Sequence, residues 1–340
     1  MIQWPERATT RREFMRGATA AVLAAGAAGP CLGDDARLQR SCAAAKRKNV
    51  FAVSCNSYGW GQFNVEQCLQ QIRETPLRRV ELPAEQCRPG SLIPELMLDD
   101  PIGGQWQYSL PDLKALLAKD HFQVDSIDVF GYGGYAGTEE LVKRRIDFAH
   151  RLGAPLIVLG CANAALHAPG DDPAKRKVRA AIDRTIRNLA DYAAPKGIKI
   201  ALEVHPGAAE NAAAALRTLA AVDRPNVGVN FDTANILIYN RDLDATGAAR
   251  QLQAVAKHVF HVHIKDVIRK SGEPRYVIPI CGRGEVDFRR VFEILHAADF
   301  YGPFSFEVES QHGGAPDIRA CHRDLLASMQ YFKTIGEFDF

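Results

Sequence analysis

The 340-residue chain has no CxxC pair among its eight cysteines, no Gly-rich phosphate loop and no strong excess of charge of either sign. Each absence removes a class of protein. Without paired cysteine spacing no disulfide framework or thiolate zinc site can be read, and Cys55, Cys161 and Cys281, in or beside apparent strands, are expected to be buried free thiols. No GxGxxG follows the first apparent strand and no GK[ST] occurs, so the usual cradles for nucleotide phosphates are missing. Lys and Arg total 42 against 40 Asp and Glu, a formal net charge of +2. No basic block interleaves with aromatics, so no nucleic-acid partner is expected. A long apolar run is also lacking near the N-terminus. The alanine-rich stretch 18–28 falls short of the roughly 20 residues a spanning helix needs, so no stable membrane span is expected.

What is present begins with Thr10-Arg11-Arg12-Glu13-Phe14-Met15-Arg16, ahead of that short apolar stretch. An arginine pair in this setting resembles a twin-arginine export signal, with Ala25-Gly26-Ala27 as a small-residue cleavage site. Residues 1–46 are therefore expected to be a signal peptide and flexible linker, and the address to be the periplasm. Residues 47–340 are expected to form one domain.

From residue 49 the chain alternates between strand and helix patterns. Strands are expected at 50–55, 79–82, 123–130, 156–159, 198–204, 227–232, 260–266 and 304–309. Helical periodicity falls at 65–73, 110–117, 138–152, 173–193, 212–221, 246–257, 288–297 and 318–334. Strict alternation with short connections predicts a parallel sheet, and eight such units favour closure into an α/β, (β/α)8 TIM barrel. The least regular part, 83–107, is expected to be a long loop over the barrel mouth.

Four strands of the second half end in groups that can bind a metal: Glu203, Asp232, His263 and Glu307. Alternate residues of a strand share a face. Ala201 joins Glu203 on one face, Asn230 joins Asp232, Ser305 joins Glu307, and His261 and Lys265 join His263. Large apolar residues (Ile200, Leu202, Val229, Phe231, Phe304, Phe306) take the other face. Every candidate ligand thus falls on the inward side of the expected barrel. Three carboxylates and one imidazole suit a divalent cation such as Mn²⁺, Mg²⁺, Co²⁺ or Zn²⁺.

The motifs Leu202-Glu203-Val204-His205-Pro206, Asn230-Phe231-Asp232-Thr233, His261-Val262-His263-Ile264-Lys265-Asp266, Gly282-Arg283-Gly284-Glu285-Val286-Asp287-Phe288 and Gly302-Pro303-Phe304-Ser305-Phe306-Glu307 occur in this order. In that order and spacing the chain resembles the xylose-isomerase-like TIM barrel superfamily, particularly its sugar epimerase and isomerase branch. Resemblance to the ketose 3-epimerases implies that Glu203, Asp232, His263 and Glu307 ligate the metal and that Glu203 and Glu307 double as catalytic acid and base. The implied reaction moves a proton beside a carbonyl through a metal-stabilised enediolate. It also implies an arginine six residues after the ligand histidine that reaches the substrate, a place held here by Arg269.

Two positions depart from the epimerase pattern. Asn235 stands where a histidine is usual, and can hydrogen-bond a hydroxyl but not shuttle a proton. Asp266 replaces a longer glutamate, and its outward parity leaves helix capping or support of the site open. His205 and Lys265 share the inward face and are candidates for substrate contact; His205 is otherwise an auxiliary ligand or a loop hydrogen-bonding group, and Lys265 a plain ion pair with a site carboxylate. His261, one layer deeper, reads as support for the ligands. Trp60, after the first strand, can stack on a sugar or close a core edge, and Phe130 and Tyr132 are equally open.

Metal-dependent phosphodiester cleavage on this barrel needs further histidines, one near Asn235 and an Asp-x-His between His263 and Glu307. Residues 275–280 do not supply them. The expected function is a divalent-metal-dependent isomerase or epimerase of an unphosphorylated sugar or sugar derivative. The alternatives are a metal-dependent lyase or hydratase on a keto-sugar or glycoside, and an exported sugar-binding protein with a vestigial site. The expected partner is a small carbohydrate, and nothing in the sequence excludes a homo-oligomer.

Overall fold

The computed structural model describes residues 47–59, 63–83, 110–129, 138–167, 170, 172–309, 317–336, 338 and 340. The export signal and linker (1–46), Trp60, Phe130, Tyr132 and the expected loop after Pro83 lie outside the described residues.

Eight strands close into one parallel barrel: β1 (Phe51–Ser54), β2 (Arg79–Pro83), β3 (Gln123–Val129), β4 (Leu156–Leu159), β5 (Lys199–Glu203), β6 (Val227–Asp232), β7 (Val259–Ile264) and β10 (Phe304–Phe306). Neighbours pair in chain order, and β10 closes the ring between β7 and β1. This is the (β/α)8 architecture that the alternation predicts. Two further short strands, β8 (Ile268–Arg269) and β9 (Tyr276–Val277), pair antiparallel as a hairpin beyond β7. The strict alternation gave no sign of that hairpin.

Helices start where Asn or Asp can cap them. Asn64, Asp172, Asn211, Asp244, Asp287 and Asp317 each accept a hydrogen bond from a first-turn backbone N–H, which satisfies donors that a helix start leaves open. The helices cover the outward strand faces, and Val53, Val80, Ile127, Ile157, Ile200, Leu202, Val229, Val262 and Phe304 are fully buried there. Each such side chain contributes on the order of 1.5–3 kcal/mol relative to exposure. The closing seam is aromatic: Phe51 of β1 stacks on Phe304 and Phe306 of β10, with ring centroids 5.2 and 5.4 Å apart.

Two register shifts alter the inward face. Val229 pairs with Val259 but Asn230 pairs with His261, so Phe260 is an extra residue in β7. A bulge turns two successive side chains the same way, and Phe260 accordingly packs with Leu156, Val158 and Ala201 in a small cluster apart from the main core. Gly228 makes room for it, because a Cβ there would stand 2.5 Å from the Phe260 ring. The second shift, between Val80 and Glu81, makes Asp125 the extra residue of β3 and pairs Glu81 with Ser126.

The described cysteines, Cys55, Cys68, Cys161, Cys281 and Cys321, are buried and unbridged. Among the described residues no helix is long and apolar enough to cross a membrane.

Candidate metal centre

Asp232 shows how the chain turns a ligand inward. The last residue of β6, it accepts the backbone N–H groups of Ala234 and Asn235 on Oδ1, both at 2.8 Å, and so starts the short helix Asn235–Tyr239. Its Oδ2 is left pointing into the barrel, 3.9 Å from His263 Nδ1. His263 pairs with Asp232 in register and with Ser305 on the other side. Its Nδ1 lies 3.2 Å from Glu203 Oε1 and 3.5 Å from Glu307 Oε1. One ligand atom from each of Glu203, Asp232, His263 and Glu307 lies within 4.8 Å of all the others, and all four residues are buried. The parity argument thus places all four side chains in one cluster.

The far side of His263 holds a residue that the motif reading passed over. Glu81 of β2, fully buried, accepts a hydrogen bond from His263 Nε2 at 3.1 Å and from Ser126 Oγ at 2.7 Å. A carboxylate behind a ligating histidine sets its tautomer and orientation. Below this pair, His261 Nδ1 donates to Asn230 Oδ1 at 2.9 Å and its Nε2 is 3.1 Å from Ser305 Oγ. Burial pushes the His261 pKa down to about 3. His261 is therefore a neutral strut under the ligands, as its depth in the strand suggested. Glu81 was legible by the same test, since Val80 and Leu82 take the outward face on either side of it.

Lys265 is also inside. Its ammonium lies 2.7 Å from Glu307 Oε2, 3.0 Å from Asp232 Oδ2 and 3.0 Å from Glu309 Oε1. Glu309, two residues past Glu307 on the same parity, is another group the motif reading missed. Burial, against the pull of Lys265, raises its pKa to about 7. Burial would lower His263, but the carboxylates of Glu307 and Glu81 outweigh it and hold the imidazole well above its ordinary value. Burial likewise opposes ionisation of Glu81, and His263 overcomes it, bringing that carboxyl to about 2. Glu203 is held below the usual range because His205 and His263 outweigh burial, whereas burial raises Asp232 in spite of Lys265.

His205 reaches Glu203, with Nε2 3.5 Å from Oε2, and its ring lies 5.0 Å from that of Tyr239. Asn235 is buried, and its Nδ2 has no hydrogen-bond partner among the described residues. Arg269 is not brought to the ligand set. Its guanidinium binds Glu285 at 2.6 and 2.8 Å and the carbonyls of Leu237, Arg241 and Leu243. These bonds tie the β8–β9 hairpin to the short helix Asn235–Tyr239, to the loop after it and to the loop that carries Glu285. Asp266 accepts four backbone N–H groups of its own and neighbouring loops, so it is loop scaffolding rather than a group of the site.

The cluster fits a cation on its own terms. Asp232, Glu307 and Glu309 converge around a single lysine, and Glu203 closes on the same imidazole as Glu307. Among the described residues Asp232 Oδ2 and Glu307 Oε2 have no hydrogen-bond partner of good geometry, although the lysine ammonium is in ionic contact with both. Oxygen and nitrogen ligands at ~2.1 Å from an ion stand at most about 4.2 Å apart, so side-chain shifts of tenths of an ångström would close the set. Mn²⁺ at about 100 times its Kd is expected to stabilise the fold by ~2.7 kcal/mol, read as a rise in melting temperature that EDTA reverses. An unchanged melting temperature would count against the ligand set. Glu81→Gln is expected to weaken Mn²⁺ binding about 10–100-fold in a calorimetric titration. An unaltered affinity would show that Glu81 does not act through His263.

A closed parallel barrel with carboxylates and a histidine gathered at its strand ends defines a broad class of barrels with a candidate metal site at the mouth. Within it, this chain belongs to the xylose isomerase-like TIM barrel family, whose description matches residues 69–331. The chain is 32% identical to an L-ribulose 3-epimerase of Methylomonas sp. (strain DH-1) over half of its own length and 55% of that protein's. It is 26% identical to an inosose dehydratase of Geobacillus thermodenitrificans (strain NG80-2), over 58% of this chain and 70% of that one. A xylose isomerase-like TIM barrel protein of Mycobacterium smegmatis, solved in complex with magnesium, superposes with a TM-score of 0.61 at 19% identity, covering 85% of this chain and 98% of that one.

Proposed function

We propose that the protein is a divalent-metal-dependent sugar epimerase or isomerase in which Glu203 and Glu307 exchange a proton with the carbon next to a carbonyl. The observation that carries this reading is their placement. Glu203 ends β5 and Glu307 follows β10, on either side of the β6–β7 pair that presents Asp232 and His263. Both carboxylates approach the same imidazole nitrogen, at 3.2 and 3.5 Å. A substrate held over Asp232 and His263 meets one carboxylate on each side, which is what inversion of a carbon centre requires.

A divalent cation held by Glu203, Asp232, His263 and Glu307 would supply Lewis-acid stabilisation of charge that develops on substrate oxygens. The residues do the rest. Glu203, kept ionised by His205 and His263, accepts the carbon-bound proton on one face. Glu307 delivers a proton to the other, with the Lys265 ammonium 2.7 Å from its second oxygen. Similarity to an L-ribulose 3-epimerase supports a ketose substrate.

Elimination of water is the second reading, supported by similarity to inosose dehydratases. It begins with the same proton abstraction and differs in expelling a hydroxyl from the neighbouring carbon. Incubating the Mn²⁺-loaded protein with ketoses and inososes in D₂O separates the two. Epimerisation gives an isomer of unchanged composition with one deuterium at the inverted carbon, and elimination gives an unsaturated product that has lost water. Absence of both deuterium uptake and water loss across the panel sinks the proton-transfer reading.

A further inference from the structure

The arc of the barrel mouth made by β1, β2 and β3 carries polar groups that the ligand set does not use. Ser54, at the end of β1, is fully buried, and its Oγ has no hydrogen-bond partner among the described residues. Asp128 of β3 is 4% exposed. Its Oδ2 accepts a hydrogen bond from the Asn56 side-chain amide, and its Oδ1 is buried with no partner among the described residues. Ser126 and Asp128 share the inward face of β3, and Ser126 is the residue that supports Glu81. Asp128 therefore stands one step above Glu81 toward the mouth. In the closed ring β3 lies opposite β7, so Asp128 stands across the barrel from the strand that carries His263, and burial and the charges of Glu81 and Glu203, with Glu307 adding to them, push its pKa well up.

A buried carboxylate oxygen and a buried hydroxyl left unpaired are each unfavourable, because neither recovers the hydrogen bonds it made to water. An apolar core would not hold them, and Asn56 satisfies only one oxygen of the pair. A ligand that brings its own hydroxyl groups satisfies the rest, since a carboxylate accepts from two adjacent O–H groups and a serine both donates and accepts. The surrounding Glu81, Glu203 and Glu307 disfavour a further negative charge at this end.

We propose that Asp128, Asn56 and Ser54 form a hydroxyl-binding subsite across the mouth from Glu203, Asp232, His263 and Glu307, which takes the uncharged polyol end of the substrate and rejects phosphorylated or acidic ends. The assignment rests on the sugar-directed reading above and adds to it the residues that select an uncharged, polyhydroxylated end.

Ribitol and ribitol 5-phosphate are suitable probes, because neither has a carbonyl and binding is read without turnover. In isothermal titration of the full-length, Mn²⁺-loaded protein, ribitol is expected to bind at least tenfold more tightly than ribitol 5-phosphate. Asp128→Asn, which keeps the side-chain volume, and Asn56→Ser, at a half-buried position, are each expected to weaken ribitol binding by about tenfold and to narrow the gap to the phosphate. Equal ribitol affinity in wild type and both variants, no ribitol binding by wild type, or preference for the phosphate would each overturn the proposal. The D₂O assay is a separate readout. Deuterium exchange without an effect of the variants on ribitol removes the subsite alone, and loss of ribitol affinity in the variants without exchange by wild type removes the catalytic reading alone.

Discussion

On the proposed epimerase reading, Glu307→Gln is expected to lower epimerisation by about 10²–10⁴-fold, the range for loss of a positioned acid or base, and Glu203→Gln to do the same. The substitution keeps the shape of the side chain and an oxygen for the cluster, and it removes the group that can carry a proton. Deuterium exchange then separates the two glutamates. With one carboxylate on each face, a variant lacking one of them still exchanges the hydrogen of the epimer that presents it to the other. Glu307→Gln should therefore retain exchange with one epimer, and Glu203→Gln with its opposite. Loss of exchange with both epimers in both variants, at unchanged Mn²⁺ content, would fit a single base and exclude the two-sided arrangement. Epimerisation within tenfold of wild type in either variant would remove that glutamate from the chemistry.

Asp266→Ala is expected to destabilise the fold by about 3–5 kcal/mol, a large share of the roughly 5–15 kcal/mol that holds a native domain together. Asp266 Oδ1 accepts from the N–H groups of Val267 at 2.8 Å and Val286 at 3.1 Å, and Oδ2 from those of Gly282 at 2.9 Å and Gly284 at 2.8 Å. Each donor left unpaired costs about 1–3 kcal/mol, less where water can reach it, and Gly282 and Gly284 belong to a partly exposed loop. The loop comes so close that a Cβ at Gly284 would stand 2.3 Å from the Asp266 carboxylate. That approach explains the glycine in Gly282-Arg283-Gly284. Asp266→Asn keeps one acceptor oxygen and should lose about half as much. Urea denaturation measures both, and a loss below about 1 kcal/mol for Asp266→Ala would show that the loop does not depend on this carboxylate.

The barrel was legible because its two periods are simple. Alternation over 198–204, 227–232 and 304–309 separates an apolar face from a polar one, and that separation is sufficient to bring Glu203, Asp232 and Glu307 inward. The same test reaches Glu81 and Glu309, but the family's motifs draw attention to the four ligands and away from the residues beside them. Arg269 is the opposite case. Its offset from His263 matches a substrate-contacting arginine, while its partners, Glu285 and the carbonyls of Leu237, Arg241 and Leu243, lie on a short helix and on loops whose approach no spacing encodes.

By itself, the sequence determined the strand–helix order, the inward position of each candidate ligand and the class of cation that three carboxylates and an imidazole suit. These follow from local periodicity and side-chain chemistry, which a linear chain displays directly. Only the tertiary structure decided that Phe260 and Asp125 bulge out of register, that Glu81 backs His263, that Lys265 sits among three carboxylates, and that Asp128 and Ser54 keep oxygens at the mouth with no partner among the described residues. Those outcomes depend on which residues of separate strands face one another once the barrel closes. A register shift of one residue changes them while leaving the local pattern of each strand the same.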